Sequence, residues 1–231
     1  MKMKTIGLIG GMSWESTTTY YQVINQTIAK SLGGLHSAKT VLYSFDFQEI
    51  ESCQANNEWH KSAEILIDAA KRVELAGADF IVICTNTMHK VADQIQKAIN
   101  IPIIHIADVT AKHLLAQNIK SVALLGTKYT MEQDFYKSKL IDKNLNVLIP
   151  ESQDRNIINE IIYDELCKGI IQPDSKQAYL NIVDKLVKNG AEGVILGCTE
   201  IGLLISQSDR NTPFFDTALI HAQEAALLAI S

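Results

Sequence analysis

The chain has 231 residues, of which 47% are hydrophobic and 20% charged, and its formal net charge at pH 7 is −5. This length suits one large domain or two lobes of somewhat over a hundred residues each, and the apolar content is sufficient for a buried core. An acidic chain with no basic run and 6% aromatic residues argues against nucleic acid or an anionic membrane as a partner. A small polar metabolite is the ligand class that remains.

The N-terminal stretch MKMKTIGLIGGMSWE carries two lysines and then an apolar run that Gly10, Gly11 and Trp14 interrupt. The run is shorter than a secretory signal, and no stretch approaches the roughly 18 continuous apolar residues of a membrane span. We therefore expect a cytoplasmic protein with reduced thiols. The cysteines form no CxxC pair, which predicts no metal site.

Short β-branched runs alternate with longer amphipathic segments along the chain. In order, the predicted strands are 5–9, 40–45, 80–84, 101–106, 121–126, 146–150, 193–198 and 212–215. The amphipathic segments 62–78 and 176–191 read as helices, each with a glycine near its end that suits a helix C-terminus. This alternation predicts an α/β fold with parallel sheets flanked by helices.

Three segments of the first half resemble three segments of the second half, in the same order and at nearly constant spacing. The matched pairs are Gly10 with Gly126, Cys84 with Cys198, and Pro102 with Pro213. We therefore predict two pseudosymmetric lobes, residues 1–104 with 214–231 and residues 105–213. Because ligands of open parallel sheets bind beyond the carboxyl ends of the strands, the active site is expected in a cleft between the lobes.

Cys84 and Cys198 each end a predicted strand and precede a threonine. Two thiols on opposite sides of a substrate can invert a carbon centre, since one removes the Cα proton and the other supplies a proton to the opposite face. The start of a helix after each cysteine is expected to lower the pKa of its thiol. The alternative is that each cysteine is simply a small core residue.

The segments GLIGGMSWEST, CTNTMHK and GCTEIGLL resemble the aspartate/glutamate racemase family, most closely its bacterial broad-specificity amino-acid racemase branch. The resemblance implies racemisation by Cys84 and Cys198 without pyridoxal phosphate. No His/Cys/carboxylate cluster of the sequence has the spacing of a metal site, so we expect neither a cofactor nor a metal. The resemblance also makes four residues candidates for holding the α-carboxylate of the substrate. These are Thr85, Asn86, Thr87 and Thr199.

Three more residues complete the predicted binding site. Lys168 matches a basic position that family members use near the substrate. A tight glycine turn is expected to bring Met12 against the substrate. Aspartate-selective members carry an arginine after the second strand, whereas this chain has the arginine-free segment SFDFQEIESCQ, from which Gln54 could reach the substrate. We therefore expect modest discrimination among glutamate, aspartate and other small polar amino acids such as homoserine, by a protein that forms a homodimer.

Other interpretations compete with the racemase. GLIGGMS lacks the GxGxxG spacing of dinucleotide-binding turns. A decarboxylase or cis-trans isomerase of the same fold commonly uses one of the two cysteines, and a non-catalytic amino-acid-binding module needs neither. The paired thiols favour racemisation. His89 and His105 are possible bases, although a role in orienting the junction between the lobes is the favoured interpretation, and Ser13 could bind substrate or cap the first helix.

Overall fold

A computed structural model describes residues 2–231 of the chain. Two compact units are present, one formed by residues up to Ile106 together with His221–Ser231 and the other by Ala107–Ile220. The elements of the first unit, in chain order, are β1 (Thr5–Gly10), α1 (Trp14–Leu32), β2 (Lys39–Ser44), α2 (Phe47–Ala55), α3 (Trp59–Leu75), β3 (Phe80–Ile83), a 3-10 helix (Thr87–Val91) and α4 (Ala92–Gln96).

Helix α5 (Ile106–Ala116) leads the chain into the second unit, and α11 (Thr217–Ala229) returns it to the first. Between them lie β4 (Ser121–Leu125), α6 (Lys128–Glu132), α7 (Asp134–Ile141), β5 (Asn146–Leu148), α8 (Ser152–Asp164), a 3-10 helix (Leu166–Lys168), α9 (Pro173–Lys188), β6 (Gly193–Leu196), α10 (Ile201–Leu204), a 3-10 helix (Gln207–Asp209) and β7 (Phe214–Asp216).

Each unit contains one parallel sheet. The strand order is β2-β1-β3 in the first unit and β5-β4-β6-β7 in the second, and all neighbouring strands run parallel. Helices pack against both sheets, for example α3 against β1 and α9 against β4. The predicted α/β class, with two parallel sheets flanked by helices, is confirmed.

The predicted strand at 101–106 is reduced to a single parallel bridge between Ile81 and Ile103. Pro102 accepts a hydrogen bond from the Ile81 N–H but has no N–H of its own to donate, and α5 begins at Ile106, so the extended segment is too short for a ladder. The bridge nevertheless occupies the place in the first sheet that β7 occupies in the second.

The return of the chain to the first unit occurs later than the sequence suggested. We expected residues 214–231 to belong to the first lobe, but Phe214–Asp216 form β7, which pairs with β6 in the second sheet. The first unit resumes at His221. The strand stays with the second unit because Pro213 accepts from the Val194 N–H and aligns β7 on β6, just as Pro102 aligns Ile103 on β3.

Strand register refines the internal repeat. The Cys84 N–H donates to the Ile9 carbonyl at 2.9 Å, and the equivalent bond in the second sheet runs from the Gly197 N–H to the Leu125 carbonyl at 2.6 Å. By strand register, therefore, Cys84 corresponds to Gly197, and Cys198 lies one residue further along the chain. The sequence match of Cys84 with Cys198 was out of register by one residue, because it aligned the repeated Cys-Thr pair and not the residues whose backbones pair.

Local sequence accounts for several helix ends. The Ser13 hydroxyl accepts the Ser16 N–H at 3.4 Å, which makes Ser13 the N-cap of α1, and Thr127 caps α6 in the same way. Gly77 and Gly190 adopt positive φ directly after the C-caps of α3 and α9, as the sequence predicted.

Each unit has its own hydrophobic core against one face of its sheet. In the first, Ile81 and Ile83 of β3 pack with Leu66 and Val73 of α3. In the second, Leu125, Val194 and Leu196 pack with residues of α8 and α9. Within residues 2–231, no helix has the length and apolar character needed to cross a membrane.

Candidate active site

The Cys84 turn, residues Cys84–Thr87, follows the carboxyl end of β3 in the first unit. Cys84 is fully buried, and its backbone N–H is held by Ile9 of β1. The hydroxyl of Ser16, in the first turn of α1, lies 3.4 Å from the Cys84 carbonyl oxygen. The turn is therefore tied to β1 and to the N-terminus of α1, which are separated from it by about seventy residues of sequence.

Predicted binding residues of the first unit gather at this edge of the sheet. Thr85, Asn86 and Thr87 are buried, although they are polar and follow a strand end. Met12 is buried after β1 and packs in the core of the first unit, while the Gln54 side-chain amide on α2 donates to the Met88 sulfur at 3.1 Å. All of these residues follow the carboxyl ends of β1, β2 or β3, where parallel sheets bind ligands.

The glycine turn before Met12 has a clear steric cause. Gly11 has a φ of 84°, and a Cβ at this position would overlap the carbonyl oxygen of Phe45. The Gly11 N–H donates to the Thr17 hydroxyl at 2.8 Å, and Thr17 in turn donates to the Ser13 carbonyl at 2.8 Å. The turn after β1 is thus fixed against both α1 and the chain that follows β2.

The Cys198 turn, residues Cys198–Glu200, follows β6 in the second unit. The Cys198 thiol donates to Glu200 Oε2 at 3.0 Å, and the Thr199 hydroxyl donates to the same oxygen at 2.8 Å. Glu200 is only 3% exposed. Sequence reasoning missed this carboxylate, although its position two residues after Cys198 in GCTEIG was a usable signal.

Burial governs the ionisation of both thiols. It raises the pKa of Cys84, and it raises the pKa of Cys198 well above the ordinary value, with a further contribution from the nearby Glu200 charge. The expectation that helix N-termini lower these pKa values was wrong. Only a short 3-10 helix and the four-residue α10 follow the cysteines, so the dipole at each turn is too small to offset the loss of water.

Lys168 lies in the 3-10 helix Leu166–Lys168, which contacts α10 in the second unit. Its side chain is 59% exposed, and its ammonium group lies 3.5 Å from Asp164. Cys167 packs against the hydrophobic cluster that contains Cys198. The structure therefore brings the backbone of this segment close to the Cys198 turn, while the Lys168 side chain extends into solvent.

Two buried thiols at equivalent strand ends, each followed by buried polar residues, invite a comparison with known proteins. The model of the Asp/Glu/hydantoin racemase family matches residues 9–225. The chain belongs to this family. Membership supports a racemase activity, and it confirms the resemblance that the Cys-Thr motifs suggested.

Relatives of known structure share the fold over their whole length. A candidate Asp/Glu racemase from Yersinia pestis is 52% identical, with a TM-score of 0.92 over 99% of this chain and 100% of that one. An aspartate racemase homologue from Pyrococcus horikoshii OT3 is 37% identical, with a TM-score of 0.86 over 99% and 100% of the two chains. The broad specificity amino-acid racemase RacX of Bacillus subtilis is 24% identical over 219 residues, 92% of each chain.

Proposed function

We propose that this member of the family is a cofactor-independent amino-acid racemase in which Cys84 and Cys198 are the acid/base pair. The observation that carries the proposal is the occurrence of one buried thiol after the equivalent strand of each unit, with a polar turn around it. Family membership supports the reaction type. A protein that used one thiol, or none, would have no need for the second turn.

In the proposed reaction, the thiolate of one cysteine removes the Cα proton while the thiol of the other cysteine donates a proton to the opposite face. The two groups exchange protonation states during turnover, so both directions of the reaction are served. The two thiols differ in their surroundings. Cys198 has Glu200 as a proton acceptor, whereas the Cys84 thiol lies 3.8 Å from the carbonyl oxygen of Val82, which cannot take a proton.

Glu200 is therefore proposed to receive the proton that Cys198 loses when it becomes the base. The high pKa of the buried thiols means that both are protonated in the free protein. A thiolate must form when substrate is present, and a carboxylate 3.0 Å from the sulfur is placed to make this possible for Cys198. For Cys84 we propose that the thiolate forms when this residue gives its proton to the substrate carbanion, and that it then serves as the base for the reverse reaction.

The substrate is proposed to be held by its α-carboxylate, through Thr85, Asn86, Thr87 and Thr199. Its side chain would meet Gln54, Met12 or Lys168. The arginines of the chain are engaged elsewhere: Arg72 pairs with Asp68, Arg155 with Glu132 and Arg210 with Asp184, all within 2.8 Å.

This pairing supports modest discrimination among glutamate, aspartate and small polar amino acids such as homoserine, because no arginine is free to select a second carboxylate. The Bacillus subtilis relative is described as having broad specificity, which agrees with this expectation. A homodimer and a cytoplasmic location, predicted from the sequence, are part of the same proposal.

The proposal is tested by incubating enantiopure amino acids with the protein in D₂O, without added cofactor, and following optical rotation and deuterium at Cα. Racemisation with deuterium incorporation is expected. Cys84→Ala and Cys198→Ala should each abolish racemisation while circular dichroism shows a folded protein. Cys53→Ala is the matched control, because Cys53 is also buried but lies in α2 without a following threonine, and it should remain active.

A variant that lacks Cys84 or Cys198 and still racemises at the wild-type rate would contradict the two-thiol assignment. When the same experiment is run on glutamate, aspartate and homoserine, the ratios of their kcat/KM values measure how strongly the protein discriminates between substrates. A preference of more than about a thousandfold for one acidic amino acid would show a dedicated carboxylate clamp and would contradict the proposed breadth.

A further inference from the structure

His89 connects the Cys84 turn to a distant segment of the first unit. Its Nδ1 lies 2.8 Å from the Thr85 carbonyl oxygen, and its Nε2 lies 3.2 Å from the Ile106 backbone nitrogen. A carbonyl oxygen only accepts and a backbone N–H only donates, so Nδ1 carries the hydrogen and Nε2 is bare. The ring is 3% exposed and neutral in this arrangement.

Two other histidine rings lie close to His89. The His105 ring lies 4.5 Å away and the His221 ring 5.7 Å away, centroid to centroid. His221 donates from Nε2 to the Ile104 carbonyl at 2.7 Å, and its Nδ1 accepts the Tyr20 hydroxyl at 2.8 Å. Burial, and to a lesser degree His105, lowers the pKa of His89 well below its ordinary value.

This bonding excludes two roles for His89. Both nitrogens of His89 are engaged by backbone groups, so it has no free lone pair for a substrate proton or a metal. Among residues 2–231, the His, Cys, Asp and Glu side chains form no group able to hold a metal ion. The sequence left open whether His89 is a base, and the hydrogen bonds argue instead for a role in holding the backbone.

The second unit shows that the fold does not demand a histidine here. Counting five residues on from the equivalent positions Cys84 and Gly197 places Gly202 opposite His89 in the repeat, and counting three on from Pro102 and Pro213 places Asp216 opposite His105. A Cβ on Gly202 would overlap the Asp216 carboxylate. In that unit, the carboxylate of Asp216 at the end of β7 fills the space itself, and the facing residue of α10 is a glycine.

We propose that His89 is a positioning residue that holds the Thr85 carbonyl and thereby keeps the Cys84 turn in the geometry that the reaction needs. This inference rests on the proposed function, since the turn carries Cys84 and the side chains assigned to the α-carboxylate. Small displacements of a reacting group lower the rate of chemistry more than they lower substrate affinity. The effect of losing the contact should therefore appear in kcat.

The test uses His89→Asn and His89→Gln as a matched pair. An Asn amide places its N–H close to the position of Nδ1 and can still donate to Thr85, whereas a Gln amide reaches the Nε2 position and cannot. We expect His89→Gln to lower kcat about tenfold or more with little change in KM, and His89→Asn to recover most of that loss. If His89→Gln does not fold, His89→Leu, which has no side-chain donor at all, replaces it.

A second measurement does not depend on racemisation. The rate of iodoacetamide alkylation at Cys84 is divided by the rate at Cys198 in the same protein, both measured by mass spectrometry. Because Cys84 is fully buried, its alkylation requires the turn to open, and the ratio should rise severalfold in His89→Gln but not in His89→Asn. His36→Gln, which replaces an exposed histidine of the same unit without touching the turn, should leave the ratio unchanged.

Two results would overturn the inference: equal kcat in the Asn and Gln variants, or an alkylation ratio in His89→Gln equal to that of the wild type. Failure of the wild-type protein to racemise any amino acid would overturn the proposed function alone. The alkylation ratio would then still decide whether His89 holds the Cys84 turn.

Discussion

Replacing His221 by Gln should make the first unit less sensitive to acid. His221 is fully buried, and burial lowers its pKa from 6.5 to about 3. A Gln side chain can keep the hydrogen bond to the Ile104 carbonyl but cannot take up a proton. At neutral pH the variant should be less stable, because the Tyr20 hydroxyl loses its acceptor and the site loses ring volume.

The magnitude follows from linkage. In the unfolded chain, His221 binds a proton near pH 6.5, whereas in the folded protein it stays neutral until the pH approaches 3. The unfolded state therefore binds more protons throughout this window, and folded-state stability falls as the pH falls. From pH 7.5 to pH 5 the loss adds up to about 2 kcal/mol, because the slope approaches about 1.4 kcal/mol per pH unit once the pH is well below 6.5, and a native pKa anywhere below 4 gives nearly the same figure.

The assay is urea unfolding at pH 7.5, 6.5 and 5. Both tryptophans of the chain, Trp14 and Trp59, lie in the first unit, so their fluorescence reports the unfolding of the unit that contains His221. The difference in unfolding free energy between wild type and His221→Gln should shrink by about 2 kcal/mol from pH 7.5 to pH 5. His89 also makes stability fall as the pH falls, but it is present in both proteins, so its effect cancels in the difference.

His36→Gln is the control, because His36 lies on an exposed loop and its replacement should leave the pH dependence unchanged. Parallel curves for wild type and His221→Gln across this range would refute the reasoning. They would mean that His221 is protonated in the folded protein as readily as in the unfolded chain, and that its bonds to Ile104 and Tyr20 do not hold it neutral.

Two further outcomes follow from the site. Glu200→Gln should lower kcat about a hundredfold or more, because the amide cannot accept the Cys198 proton; an unchanged kcat would contradict the role of Glu200. Gly11→Ala should destabilise the first unit by at least about 2 kcal/mol more than Gly33→Ala does. Both residues have positive φ, but only at Gly11 would the new Cβ overlap backbone atoms. Equal shifts in thermal unfolding would show that the turn after β1 can relax.

The alternation of strands and helices, the repeat and the placement of Cys84 and Cys198 at strand ends were all predictable from the sequence. They depend on periodicity, on capping residues such as Ser13 and on glycines after helices, which are patterns of neighbouring residues. The polar turn after Cys84 was also predictable, because Thr85, Asn86 and Thr87 are contiguous with it. The resemblance to a known family came from the same contiguous motifs, and the family model confirmed it.

The pairing and register of the strands were harder to predict from the sequence. The segment 101–106 and the end of the second unit have the composition of strands, but whether a segment forms a ladder depends on which strand it meets. Pro102 and Pro213 each align their segment on a neighbour through one backbone hydrogen bond, yet only the second segment goes on to form a full strand. The one-residue shift between Cys84 and Cys198 has the same origin, since only paired backbones define equivalent positions.

The chemistry of the two thiols was decided by the tertiary structure. The sequence could place each cysteine before a helix and predict a lowered pKa, but it could not show that packing would remove water from both and raise the pKa instead. It could not show that Glu200 turns back to accept the Cys198 thiol proton, nor that His221 reaches Ile104 across more than a hundred residues. Local patterns determine which residues follow a strand, whereas the charge a buried group can carry depends on side chains that only folding brings into contact.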